Sequence, residues 1–135
     1  MPAGYSRTPL VKKLGIKPGF VVAALDEPPE LRDLLGDLPE GVTIRSHLRG
    51  KPDVVLAFQT TEKVLRRRLV RLPGVIHPNR VVWVAWPKKS SGVATDLTGD
   101  VVRAAILETE LVDVKVCAIS DTWSGLKALW RKDLR

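Results

Sequence analysis

Three short runs of unbroken apolar residues constrain this chain more than any other feature. Phe20–Leu25, Val54–Phe58 and Val81–Trp86 are each five or six residues long and carry no charge. A strand with one face in water alternates apolar and polar side chains, so unbroken runs of this length mark strands covered on both faces, as in a parallel sheet flanked by helices. The segments between them fit that scheme. Leu31, Leu34, Leu35 and Leu38 recur at helical spacing, and so do Leu65, Leu69 and Leu72.

The remaining elements follow from local signals. Residues 8 to 19 read as a short helical turn or two, stopped by Gly15, with a turn at Pro18-Gly19 launching the first strand. Val42–Ser46 is a second strand, followed by the turn Arg49-Gly50-Lys51-Pro52. Only about six residues separate it from the third, too few for a crossover helix, so the two are parallel only if they are not neighbours. Thr60 or Thr61 caps the next helix, which is expected to stop at Pro73-Gly74. Another helix is expected over about residues 99 to 110, capped by Thr98 or Asp96. Asp113–Ser120 and Ser124–Arg131 are β-type runs joined by a few residues, which specifies an antiparallel hairpin. The sum is an α/β fold: three layers around a mostly parallel sheet of about six strands that ends in the hairpin. One domain is expected over residues 1 to 135, with residues 1 to 19 as an N-terminal arm and short helix packed on the core.

A chain of 135 residues buries about two-thirds of its unfolded surface without help from a disulfide or structural metal. Cys117 is the single cysteine, inside the apolar run Val114–Ile119, so a buried strand residue is expected there rather than a nucleophile. The first residues lack the apolar stretch of a signal peptide, and no segment has the length of a membrane span, so the cytoplasm is the expected location. Net charge is +7, from 22 Lys and Arg against 15 Asp and Glu, but the basic residues are spread along the chain. Their densest group is Arg66-Arg67-Arg68 with Arg71, which makes nucleic-acid binding the secondary expectation.

The order of elements, the Leu14–Gly19 lead into the first strand, the Asp53-Val54-Val55 opening of the third and the final hairpin resemble a class I methyltransferase core shortened by one central βα unit. That similarity is topological and covers residues 8 to 131. It implies a Rossmann-like sheet with methyltransferase-like topology. The chain also resembles a family of uncharacterised bacterial proteins, common in actinobacteria. The residues carrying this second likeness are Tyr5-Ser6, Thr8-Pro9-Leu10, Lys13–Ile16, Trp86–Lys89, Ser91-Gly92, Thr95–Thr98, Lys115–Ala118 and Trp123–Leu126. It implies the fold and no agreed activity.

Cofactor chemistry is argued against by the residues themselves. A methyltransferase or dinucleotide enzyme needs a glycine-rich turn after the first strand, where the backbone can approach the cofactor. Here that turn reads Asp26-Glu27-Pro28-Pro29-Glu30: prolines remove backbone donors, and the carboxylates repel a pyrophosphate or the carboxylate of S-adenosylmethionine. The second strand ends in Arg45-Ser46-His47, without the acid that binds ribose hydroxyls. No phosphate-cradling loop, nucleophile elbow or His-Glu-x-x-His motif occurs, and His47 and His77 stand alone. No cofactor and no metal are expected.

The candidate site is the loop from Pro87 to Thr98, long for a strand-to-helix connection and placed at the carboxyl end of a central strand. Lys88 and Lys89 bring charge, Ser90 and Ser91 hydroxyls, Gly92 close backbone approach, and Thr98 the start of a helix with free N–H groups. Against this, Ser, Thr and Asp in such a loop also serve as caps. Trp83 and Trp86, three apart on one strand, point to opposite faces. Trp86 and Trp123, each near a strand end, are candidates for the wall of a pocket beside the loop. Arg66, Arg67 and Arg71 form the candidate nucleic-acid face. The expectation is a binding or regulatory module without catalysis, for a small anion or a protein partner, with a homo-oligomer open. The enzymatic alternative acts on a phosphate- or carboxylate-bearing substrate in the crevice where the first and third strands diverge, with Lys88 or Lys89 holding the anion and Asp26 or Asp96 as base.

Overall fold

The computed structural model describes residues 8–135. Tyr5, Ser6 and the first part of the expected N-terminal arm lie outside the described residues. In chain order the elements are α1 (Leu10–Lys13), β1 (Val21–Leu25), α2 (Leu31–Leu35), β2 (Thr43–Arg45), β3 (Val54–Phe58), α3 (Glu62–Ile76), β4 (Val81–Pro87), α4 (Gly99–Leu107), β5 (Leu111–Ala118) and β6 (Trp123–Trp130). One six-stranded sheet has the order β2-β1-β3-β4-β6-β5. β2, β1, β3 and β4 are parallel, and β6 is antiparallel to both β4 and β5.

This order resolves how two strands so close in sequence are both parallel: β2 and β3 flank β1 on opposite sides. The chain crosses β1 in the loop 46–53 with no helix, and Leu48 from that loop packs against the core. The apolar runs are buried on both faces as their lack of alternation requires, with every residue of β3 buried. On one face Ala23, Leu25, Val55, Ala57, Val82 and Trp86 meet α3 and α4. On the other, Val22, Leu56, Phe58, Trp83 and Ala85 meet α1 and α2, together with Ile119 and Trp123. The result is the three-layer α/β fold read from the sequence, a mostly parallel six-stranded sheet that ends in an antiparallel hairpin.

α3 does not stop at Pro73-Gly74 but continues to Ile76. Burial of Leu72, Pro73 and Ile76 outweighs the lost donor, and the Pro73 carbonyl stays doubly paired: it accepts from the His77 N–H at 3.1 Å and from Trp130 Nε1 at 2.7 Å. Helix starts follow the expected chemistry, Thr61 accepting from the Val64 N–H and Thr98 from the Val101 N–H. The hairpin packs its Gly125 so tightly that a Cβ there would lie 2.7 Å from Ile119 Cδ1 and 3.3 Å from the Trp83 ring. Cys117 sits on β5 and is only half-buried; burial pushes its thiol pKa up, and Lys13 and Lys115 offset this only in part.

Candidate functional site

The strand order reverses at β1 and β3, where the chain leaves β1 toward one edge of the sheet and β3 toward the other. A crevice at the carboxyl ends of two such strands is where open α/β sheets hold ligands. Asp26 ends β1 and Gln59 ends β3. Asp26 adopts a left-handed backbone at φ 54°, which Asp tolerates better than most residues and which lifts its side chain off the strand line. Its Oδ2 accepts 2.9 Å hydrogen bonds from Gln59 Nε2 and from Arg68 Nη2. Gln59 itself is only 2% exposed and is anchored by its backbone N–H, which donates to the Ala85 carbonyl at 2.8 Å.

These contacts decide the charge state of the pair. Burial works to raise the Asp26 pKa, but the hydrogen bonds from Gln59 and Arg68 and the Arg68 charge outweigh it and hold the carboxyl below its ordinary value. Asp26 is therefore a fixed carboxylate, neutralised by Arg68. A cavity of about 510 Å³ opens over it, walled by Phe58 and Trp123 and bordered by Thr60 and Arg67. The two aromatic rings meet edge to face, with centroids 5.2 Å apart at 87°. Trp123 Nε1 is buried with no acceptor among the described residues. Arg67 is exposed and forms no ion pair among them, so it supplies the unbalanced positive charge of the crevice.

The long loop after β4 is placed differently from the site its composition suggests. Lys88 is half-buried and its N–H donates to the Thr122 carbonyl, while Lys89 and Ser90 are exposed in a 3-10 turn. Ser91 Oγ donates to the Lys88 carbonyl at 2.6 Å and accepts from the Val93 N–H, and Gly92 closes the turn at φ 77°. Thr95 Oγ1 donates to the Thr60 carbonyl at 2.6 Å, and Asp96 Oδ1 accepts from the Glu62 N–H at 2.8 Å. Asp96 thus caps α3, from a different segment of chain, rather than α4. Ser91, Thr95, Asp96 and Thr98 all serve the backbone, and the loop binds the first turn of α3 beside the crevice.

Trp86 and Trp123 do not wall one pocket. Trp86 belongs to the core under α4, and Trp123 to the core on the opposite face. Pro87, not Trp86, is the residue opposite Trp123, and neighbouring positions on a strand face opposite ways. The arginines of α3 also separate. Arg66 pairs with Glu62 at 2.7 Å and with Glu108, whereas Arg67 borders the crevice and Arg71 is exposed. Arg45 Nη1 reaches back to the Arg49 carbonyl, and His77 packs edge to face on Trp130. Among the described residues, no three His, Cys, Asp or Glu are grouped so as to hold a metal. No helix among them is long and apolar enough to cross a membrane.

No protein-family model and no curated protein sequence matches the chain. Its likeness is to solved structures. An S-adenosylmethionine-dependent methyltransferase from Aquifex aeolicus superposes with a TM-score of 0.64 at 13% identity, over 88% of this chain and 86% of that one. The magnesium protoporphyrin IX methyltransferase from Synechocystis PCC 6803, with S-adenosylmethionine bound, gives 0.54 at 12% identity, over 90% and 74%. A protein of the NADB-Rossmann superfamily from Streptococcus agalactiae gives 0.54 at 6% identity, over 95% and 70%. At these identities the likeness defines the fold, a methyltransferase-like Rossmann core, and not the activity.

Proposed function

We propose that this protein is a binding or regulatory module, without catalysis, that holds a small anionic ligand at the carboxyl edge of its sheet. The observation carrying this reading is the charge arrangement in the crevice: Asp26 is neutralised by Arg68, and Arg67, beside an aromatic wall, has no ion pair among the described residues. A ligand with an apolar or aromatic body and a phosphate or carboxylate group suits that combination. Lys88 and Lys89 lie at the same edge and add to the attraction, screened by salt. The reading without catalysis draws support from the acids: a lowered pKa makes Asp26 a weaker base, its Oδ2 is twice engaged, and Asp96 Oδ1 caps α3. The likeness to the bacterial family belongs to this reading and brings no activity to it.

The enzymatic reading keeps one observation in its favour, the crevice lying at the switch point of a methyltransferase-like sheet. A titration tests the site on which the binding reading rests. Backbone amide shifts are followed while phenyl phosphate or inorganic phosphate is added at millimolar concentration. Shifts are expected at Asp26, Gln59, Thr60 and Arg67, with phenyl phosphate binding more tightly and Arg67→Ala weakening it roughly tenfold. Shifts centred on residues 88 to 100 that vanish in a Lys88→Ala, Lys89→Ala double variant would move the site to the loop, and no localised shift would remove the proposal.

A further inference from the structure

We propose that the opposite edge of the sheet carries a second anion site, formed by Lys17, Arg80 and Lys127, that takes a doubly charged phosphate group. The parallel strands β1, β3 and β4 all begin at this edge, remote from the crevice. The turn before β1 brings Lys17, the residue before β4 is Arg80, and Lys127 projects from β6 opposite Trp83 in the register. The three side chains line one cavity of about 260 Å³. Leu14, which also lines it, accepts a 3.2 Å hydrogen bond at its carbonyl from Trp83 Nε1, which ties the end of α1 to the sheet.

The charges here are unbalanced. Asp53 is the carboxylate lining the cavity, and it is already engaged: its Oδ2 accepts from the Val21 N–H at 2.8 Å, and its own N–H donates to the Val21 carbonyl at 2.8 Å. None of Lys17, Arg80 and Lys127 has an ion pair among the described residues. Three cations facing one carboxylate leave an excess of two positive charges, which suits a dianion better than a single carboxylate or chloride.

Arg80 gives the site its direction. Its backbone N–H donates to the Ile76 carbonyl at 2.9 Å, which fixes the start of the side chain. Its Nη1 reaches the His77 carbonyl only at 3.5 Å, and its Nε is buried without an acceptor among the described residues. A guanidinium N–H taken out of water normally has a partner, and a planar fork with an unused Nε matches two oxygens of a phosphate. Asn79 also lines the cavity and adds a neutral donor.

The test follows the Arg80 Nε–H resonance and the backbone amides in 15N spectra at constant ionic strength. Inorganic phosphate and phenyl phosphate are titrated in parallel against sodium chloride. Either phosphate should shift Arg80 Nε and the amides of Lys17, Arg80 and Val81, and the tighter of the two identifies free phosphate or a phosphate monoester as the natural form. Arg80→Gln and Lys127→Gln should each weaken binding, read at the Lys17 and Val81 amides, by roughly tenfold, while shifts at Gln59 and Thr60 follow those of the parent. The Lys127 variant carries the test if loss of Arg80 prevents folding. The proposal is overturned if Arg80 Nε fails to shift with millimolar phosphate, if chloride reproduces the shift, or if the folded variants bind as the parent does.

Discussion

Gln59 and Asp26, thirty-three residues apart in sequence, are joined by a 2.9 Å hydrogen bond from Gln59 Nε2 to Asp26 Oδ2 that bridges the carboxyl ends of two adjacent parallel strands. A buried amide with a fixed donor favours the ionised acid, and Arg68 acts in the same direction.

The pH dependence follows from that bond. A carboxyl whose folded pKa is depressed adds stability at pH values above its unfolded pKa, and the contribution is lost as pH falls through the folded value. Asp26 should accordingly titrate below the ordinary carboxylate range in the native protein. Gln59→Leu and Arg68→Leu should each raise its pKa, because burial then acts with less opposition. Side-chain carboxyl carbon shifts measured against pH check this, and an unmoved Asp26 in both variants would contradict it.

S-adenosylmethionine and NAD(P) should not bind. The turn after β1 places Pro28 and Pro29, which have no N–H, where a cofactor-binding turn presents donors, and Glu27 is held by Arg32 at 3.2 Å. Calorimetric titration should show no heat of binding. Micromolar affinity for any of these cofactors would restore the enzymatic reading.

Nucleic acid should bind weakly through α3. Arg66 is occupied by Glu62 and Glu108, and Arg67 and Arg71 of the expected face have no ion pair among the described residues. Duplex and single-stranded probes should give the steep salt dependence of nonspecific phosphate contacts. A salt-resistant, sequence-selective complex lost in an Arg67→Ala, Arg71→Ala variant would instead make this helix a recognition surface.

The loop after β4 should prove to be a stabilising element whatever else it does. Thr98→Ala removes the α4 cap and Asp96→Ala the cap it lends to α3, and each should cost about 1 kcal/mol in urea unfolding. Unchanged midpoints in both variants would show that water replaces these acceptors without loss.

Strand runs, helix caps and the terminal hairpin were legible because each is governed by neighbours in sequence. Unbroken burial of Val54–Phe58 could be read from composition alone, and Thr98 from its place before a helix. α3 was read too short because Pro73 weakens a helix locally, while the burial that carries it on to Ile76 and the bond from Trp130 come from distant chain. The crevice was only half visible. Asp26 is legible as an acid of that crevice, Thr60, Arg67, Arg68 and Trp123 enter the sequence reading in other roles and Phe58 only as a strand residue, and Gln59 is missed. An amide directly after a buried strand was the available signal. It gains meaning only when β1 and β3 are known to be neighbours, and a parallel pairing leaves no local mark in either strand. Trp86 and Trp123 were grouped by their nearness to strand ends, although the hairpin register puts them on opposite faces.

The helix-free crossing between β2 and β3 sets the order in which the molecule can open. β2 pairs with β1 through only Thr43, Ile44 and Arg45 and lies at the margin of the sheet, whereas β3 is paired on both sides and wholly buried. Opening free energies within one protein range from near zero up to that of global unfolding. Amide hydrogens of β2 should therefore exchange through a local detachment that leaves β3 and β4 intact, and those two strands should exchange only when the whole chain unfolds. Among the parallel strands, β2 is the one expected to give way first.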